Sequence, residues 1–204
     1  MLNSKSQLAI VLSKLNAFQS PKIMLEQYTT DSEIAAEVIW SASMAGDIKG
    51  KTVADLGCGT GILGIGAILT GAKKTYFVDT DTSALELLEN NLKQSGIKNG
   101  YEILNKDISE FNETVDTVIQ NPPFGTKEKH IDVLFLDKAM QTAKVIYSLH
   151  KTATSEFIIK HARGNGFAAT QRYDFEFPLK QTMKHHMKRI QRVQVTAFRF
   201  EKKE

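Results

Sequence analysis

The chain has 204 residues, 42% hydrophobic and 24% charged, which is ordinary for one globular unit with a substantial core. No run approaches the roughly 18 apolar residues a membrane helix needs, and the polar, interrupted N-terminus MLNSKSQLAIVLSKL does not read as a secretory segment. The single cysteine, Cys58, excludes an internal disulfide or a Cys-only zinc site and fits a reducing, cytoplasmic compartment; no metal ligands are expected.

The net charge of +3 is unevenly spread. Residues 178–204 hold eight Lys/Arg against two acids, a local +6 that leaves −3 for the rest. Lys180, Lys184, Lys188, Arg189 and Arg192, with His185 and His186 among them, suggest a polyanion partner, or a solvated face.

In chain order, Leu8, Leu12 and Leu15 predict an amphipathic N-terminal helix, followed by the connector FQSPKIMLEQYTT. A second helix is predicted from about Asp31 to Ser43. Thr30 and Glu33 have capping-box spacing, and Ile34, Val38 and Met44 share a face. From Lys51 strands and helices alternate. The expected strands are 51–56, 75–78, 101–104, 115–119 and 145–149. The expected helices are 62–69, 83–95, 132–144 and 155–163. This alternation implies a parallel sheet covered on both faces. Residues 167–177 and 192–200 then read as two consecutive strands, the second alternating like an antiparallel or edge strand. The expectation is an α/β fold, a doubly wound and mostly parallel seven-stranded sheet. An antiparallel pair ends it, with residues 180–192 looping between.

Asp55-Leu56-Gly57-Cys58-Gly59-Thr60-Gly61 follows the first strand and opens the helix at Ile62. Glycines there allow a tight turn and close ligand approach, and the helix start adds N–H groups and a positive dipole end. Gly59–Gly64 matches G-x-G-x-x-G, a weak signal by itself. An acid just before the first glycine is unfavourable beside a pyrophosphate and suits a cationic ligand. S-adenosylmethionine carries a sulfonium and an ammonium and no phosphate, and the segment resembles the first motif of the Rossmann-like S-adenosylmethionine-dependent methyltransferases. Asp79 ends the second strand, where an acid can bind both ribose hydroxyls, and Asp81 is placed to cap the next helix. In such methyltransferases the acid corresponding to Asp107 binds the adenine amino group and its neighbour, Ile108, packs on the ring; the alternative for Asp107 is a turn residue. Cys58 reads as a small loop residue, with nothing nearby to activate it.

Asp116-Thr117-Val118-Ile119-Gln120-Asn121-Pro122-Pro123-Phe124-Gly125 ends a buried strand on an amide, two prolines and a ring. Neither proline can donate to a strand ladder. The segment resembles the (D/N)PP(Y/F) motif of methyltransferases acting on an amino group conjugated to a planar system. Such a nitrogen is a poor nucleophile. The Asn121 side-chain oxygen and the Pro122 carbonyl can each accept one amino hydrogen, Pro122 and Pro123 stiffen the loop, and Phe124 offers a stacking face.

Glu26–Thr30, Asp55–Gly61, Asn121–Lys127, Tyr147–Lys151 and Arg172–Asp174, in this order, are together similar to the methyltransferase-like protein five family of ribosomal RNA adenine N(6)-methyltransferases, archaeal members included. The resemblance implies methylation of one adenosine in small-subunit ribosomal RNA, donor contacts from Gln27 and Thr30 in a segment folding over the cofactor, and a small zinc-binding activator subunit. The family often has Pro at Thr29 and Cys at Thr60. Read without the family, Gln27 and Tyr28 are equally connector packing, and His150 and Lys151 either contact RNA or end a strand. The other readings are a glutamine N(5)- or guanine N(2)-methyltransferase of the same fold, and a non-enzymatic RNA-binding scaffold.

Overall fold

In a computed structural model, residues 4–18, 21–22, 26–27, 29–124, 130–179 and 191–203 are described. Helix α1 (Lys5–Leu12) buries Leu8, Ala9 and Leu12, with Leu15 packed beside them. It lies on α2 (Ser32–Met44) and α3 (Ile62–Leu69). The cap of α2 is Asp31, whose carboxylate accepts the N–H groups of Glu33 and Ile34. The expected Thr30 cap is not formed, because the Thr30 hydroxyl is engaged elsewhere. Ile34 and Val38 are buried as expected; Met44, at the last turn where the helix runs out beyond the core, is 73% exposed.

Strands β1 (Thr52–Leu56), β2 (Lys74–Asp79), β3 (Tyr101–Asn105), β4 (Val115–Gln120), β5 (Ala143–Lys151), β6 (Phe167–Leu179) and β7 (Gln191–Lys202) form one seven-stranded sheet in the order β3-β2-β1-β4-β5-β7-β6. β1 to β5 are parallel, and β7 is antiparallel to both neighbours. Helices α4 (Thr82–Gln94), α5 (Ile131–Thr142) and α6 (Ser155–Gly164) complete the crossovers. One face packs Val53, Ile119 and Tyr147 against α1, α2 and α3; the other packs Leu56, Val118 and Ile146 against α5 and α6. This double burial is why the strands read as apolar runs.

The alternation of β7 marks its antiparallel pairing but not an edge. It lies inside the sheet, and all of residues 195–200 are buried. Its polar side chains survive there because each has a partner. Thr196 donates to Asp174 at 2.6 Å. Arg199 reaches Asp47 through Nε at 2.8 Å and Glu201 through Nη1 at 2.7 Å. Asp47 also accepts from Tyr147 at 2.7 Å, and its carbonyl accepts from Thr117, also at 2.7 Å. Asp47, between α2 and β1, thus ties β4, β5 and β7 to the N-terminal half. Arg199 therefore belongs to the interior and not to the basic surface that the tail composition suggested.

Candidate active site

The carboxyl ends of β1, β2 and β4 converge on one end of the sheet, where ligands bind in open α/β folds. Gly57, Gly59 and Gly61 have φ of +67°, +52° and +84°, which only glycine adopts without strain. The loop spends its N–H groups internally. Gly57 and Cys58 donate to the Val78 carbonyl, Gly59 to Asp79 Oδ2 and Gly61 to the Cys58 carbonyl, all at 2.8–3.0 Å. These N–H groups do not form a phosphate cradle. Negative groups lie beneath the loop instead. Asp55 is buried and accepts the Gly64 N–H at 2.8 Å near the start of α3. Burial pushes its carboxyl up to about 7, against the Gly64 hydrogen bond, with Asp79 adding to the rise. Asp79, half-buried at the end of β2, accepts from Gly59 and Asp81, and burial raises it too.

Cys58 is buried and its thiol is pushed well up by burial and by Asp55 and Asp79, so it is no nucleophile. Thr60 and Ile62 are buried in the loop and first helical turn. Asp107 is exposed and caps the short 3-10 turn Ile108–Glu110 through the Ser109 N–H at 2.8 Å, the turn role among its two expected ones. Ile108 is half-buried on the same rim.

Two latches hold the N-terminal connector over this loop. Asn91, fully buried in α4, accepts the Asn16 N–H at 2.8 Å and donates to the carbonyls of Asn16 and Thr60 at 3.1 and 3.0 Å. Asp81 caps α4, as expected, but also takes Lys22 Nζ at 2.6 Å and Gln27 Nε2 at 2.5 Å. Burial would raise the Asp81 carboxyl; Lys22, Gln27 and Ser83 outweigh that and hold it well below the usual carboxylate range. Gln27 therefore acts here through Asp81, two residues from Asp79. Tyr28 lies outside the described residues. The second latch was missed in the sequence, where Asp81 showed only a cap; the pairing of Asp81 with a cation 59 residues upstream leaves no local signal.

At the end of β4, Asn121 Nδ2 donates to the Thr30 hydroxyl at 2.9 Å. Its Oδ1 is buried with no hydrogen-bond partner among the described residues. Pro122 and Phe124 are buried and Pro123 half-buried. The Phe124 ring stands edge-on to Phe177 at 6.4 Å, and Lys151 Nζ lies 6.0 Å from its centroid. On the opposite face of β4, Gln120 donates to Ser148 Oγ at 3.0 Å. Ser148 Oγ lies 2.8 Å from His150 Nε2, and His150 Nδ1 lies 3.4 Å from Asp132. His150 is fully buried, and burial lowers its pKa against the pull of Asp132. It ends a strand and braces the start of α5; it is not an RNA contact, whereas Lys151 is half-exposed beside Phe124. Most of the basic segment 180–192 lies outside the described residues.

The methyltransferase small domain family matches residues 32–148. The zebrafish (Danio rerio) rRNA N(6)-adenosine-methyltransferase METTL5 is 36% identical, covering 95% of this chain and 97% of that protein. The Drosophila melanogaster protein of the same name is 35% identical over 93% of this chain and 92% of its own length. A crystal structure from Pyrococcus horikoshii, of a protein proposed to be an RNA methyltransferase, superposes with a TM-score of 0.89 at 43% identity, over 97% of this chain and 98% of that one. With the glycine loop, the paired carboxylates and the Asn121–Phe124 segment at one end of the sheet, the chain belongs to the methyltransferase small domain family and, within it, to the METTL5 methyltransferases.

Proposed function

We propose that this methyltransferase moves the methyl group of S-adenosylmethionine to N(6) of one adenosine in small-subunit ribosomal RNA. The observation that carries the reading is the Asn121 amide. Its nitrogen is occupied by Thr30, and its oxygen is buried with no partner among the described residues. Such an acceptor costs about 1–3 kcal/mol until a donor meets it, and an exocyclic N–H is a donor of the right kind. The zebrafish, fly and Caenorhabditis elegans relatives are named rRNA N(6)-adenosine-methyltransferases, which supports adenosine as the target.

The residues fit the donor. Asp55 and Asp79 are carboxylates raised by burial, so a cationic ligand relieves their cost of ionising; Gly59 of the loop donates to Asp79 and Gly64 of α3 to Asp55. In this reading Asp79 takes the ribose hydroxyls with its remaining lone pairs, and Asp107 and Ile108 flank the adenine. Gly57, Gly59, Thr60, Gly61 and Ile62 shape the floor. The segment carrying Gln27 and Thr30 closes the site from above, so that residues 1–50 form a cover on a core of residues 51–204. When bound, S-adenosylmethionine supplies an activated methyl on a good leaving group, so positioning matters more than a strong base. Asn121 Oδ1 and the Pro122 carbonyl hold the two amino hydrogens and orient the nitrogen lone pair. Phe124 supports the base plane. The departing proton leaves to solvent.

Two finer parts rest on sequence. The basic residues around 180–192 hold RNA phosphates, and a small zinc-binding activator subunit partners the chain. Among the described residues no helix is long and apolar enough to cross a membrane; the cytoplasm is the proposed compartment, on the ground of the single cysteine and the ribosomal RNA substrate. The test is nucleoside mass spectrometry of small- and large-subunit ribosomal RNA from cells lacking the gene. One missing N(6)-methyladenosine in the small subunit is expected; unchanged adenosines with a missing N(2)-methylguanosine, or a release factor as sole methyl acceptor, would overturn it.

A further inference from the structure

Among the described residues the exposed large apolar side chains are Ile10, Met44, Leu134 and Phe157. Leu134 lies in the first turn of α5 and Phe157 in the first turn of α6. Both helices begin at the carboxyl end of the parallel strands, the end that holds Asn121 and Phe124. Phe157 is half exposed, yet its ring is restrained. It stacks on His161 at 6.1 Å and 24°, and His130 stands 6.4 Å away at 46°. His161 is itself held by Asp137, Nε2 to Oδ1 at 2.6 Å. Lys151, beside Phe124, is separated from Ser155 only by the turn Thr152–Thr154. Phe157 thus follows Lys151 by six residues, on the order of 10 Å of chain contour.

We infer that Phe157, flanked by His130 and His161, is a stacking platform for a base next to the target adenosine in the RNA strand. The inference rests on the RNA reading of the site above. A target base must be splayed from its neighbours to reach a pocket at Asn121, and those neighbours need a surface to hold them. A pre-ordered ring suits that role, because little freedom remains to be lost on binding. The charges left free around the ring are mostly positive and suit a polyanion. Lys160 and Arg163 are exposed on α6, and Lys151 is half-exposed; of the nearby acids Asp137 is engaged by His161 and Asp132 lies against His150, leaving Glu156 exposed. Stacking also explains why a phenylalanine is left in water on the first turn of a helix whose other apolar residues are buried, as Ile158 and Ala162, or half-buried, as Ile159.

The test uses the full chain and a short fluorescein-labelled single-stranded RNA with one adenosine among uridines, read by anisotropy. Phe157→Ala is expected to weaken RNA binding about five- to tenfold and Phe157→Trp to retain it. Neither variant should alter donor affinity or Tm, since the ring is not core. Against the same RNA with abasic residues flanking the adenosine, wild type and Phe157→Ala should bind alike. Equal affinity of wild type and Phe157→Ala for the intact RNA overturns the inference, as does an Ala penalty that persists undiminished on the abasic RNA. No binding by the wild type also overturns it. If Phe157→Ala instead releases a co-purifying protein subunit and leaves RNA affinity unchanged, the patch is a protein dock and the inference is wrong. Phe157-dependent binding with no methyl transfer to any adenosine would sink the proposed reaction and leave the platform standing.

Discussion

The side-chain nitrogen of Asn121 donates to the hydroxyl of Thr30 at 2.9 Å, across 91 residues of sequence. In the proposed reaction that contact fixes which end of the amide is left for the substrate. Thr30 lies in the N-terminal segment and Asn121 at the end of β4, so the proposed cover and the proposed catalytic amide share one contact. Thr30→Val keeps the shape and removes the hydroxyl. It is expected to lower kcat about five- to tenfold, the worth of one neutral hydrogen bond, with a smaller change in KM for RNA. Thr30→Ser should restore most of the loss. A Thr30→Val enzyme with unchanged kcat and weakened donor binding would show a role in holding the donor alone.

Removing the Asn121 acceptor should separate chemistry from binding. Asn121→Ala is expected to reduce single-turnover methyl transfer about 100- to 1000-fold, as loss of a preorganised transition-state contact does. Donor affinity, read by calorimetry, should change by less than about threefold, because the amide oxygen faces the amine. An equal loss in both would mean that Asn121 serves mainly to hold the donor.

The buried carboxylate under the glycine loop gives a pH signature. Asp55 titrates near 7 when folded, against an ordinary value of 3.8. Between these values the folded state keeps a proton that the unfolded state has lost, so stability from this group falls as pH rises through the window and stays low above about 7. Donor affinity should move the other way, strengthening as the carboxylate ionises. Asp55→Asn is expected to raise the donor-free Tm at about pH 8 while weakening donor binding. Tm and calorimetric titrations across about pH 5–8 check both trends; a variant with the wild-type pH dependence would assign the signature elsewhere.

Asp47 is the interior's main electrostatic tie. Asp47→Ala leaves the buried Arg199 guanidinium and the Tyr147 hydroxyl without their shared acceptor. The expected cost is about 3–5 kcal/mol, a Tm lower by about 10 °C for a chain of this size. Adding Arg199→Met should recover a large part of it, because an apolar side chain removes a buried charge left with Glu201 as its one acidic partner among the described residues. Thermal unfolding of the single and double variants decides the matter; no recovery would place the loss in the Tyr147 hydroxyl left without its acceptor.

Local chemistry made much of this molecule legible. The apolar runs at 52–56 and 115–120, the glycines at 57, 59 and 61, and Leu85, Leu88 and Leu92 at helical spacing each report a backbone state or a buried face that neighbouring residues alone demand. The Asn121–Phe124 segment stands out because two prolines after a strand cannot extend its ladder. What only the tertiary structure decided were pairings across long loops. Asp81 with Lys22 and Gln27, Asn91 with Asn16 and Thr60, Thr30 with Asn121, and Arg199 with Asp47 all join residues brought together by the sheet order. A side chain's partner across such a distance depends on packing geometry, which period and propensity do not encode. The same holds for the interior place of β7 and the burial of His150. Alternation of polar and apolar residues shows that a strand has two environments, and only the assembled sheet shows that the polar one is satisfied from within.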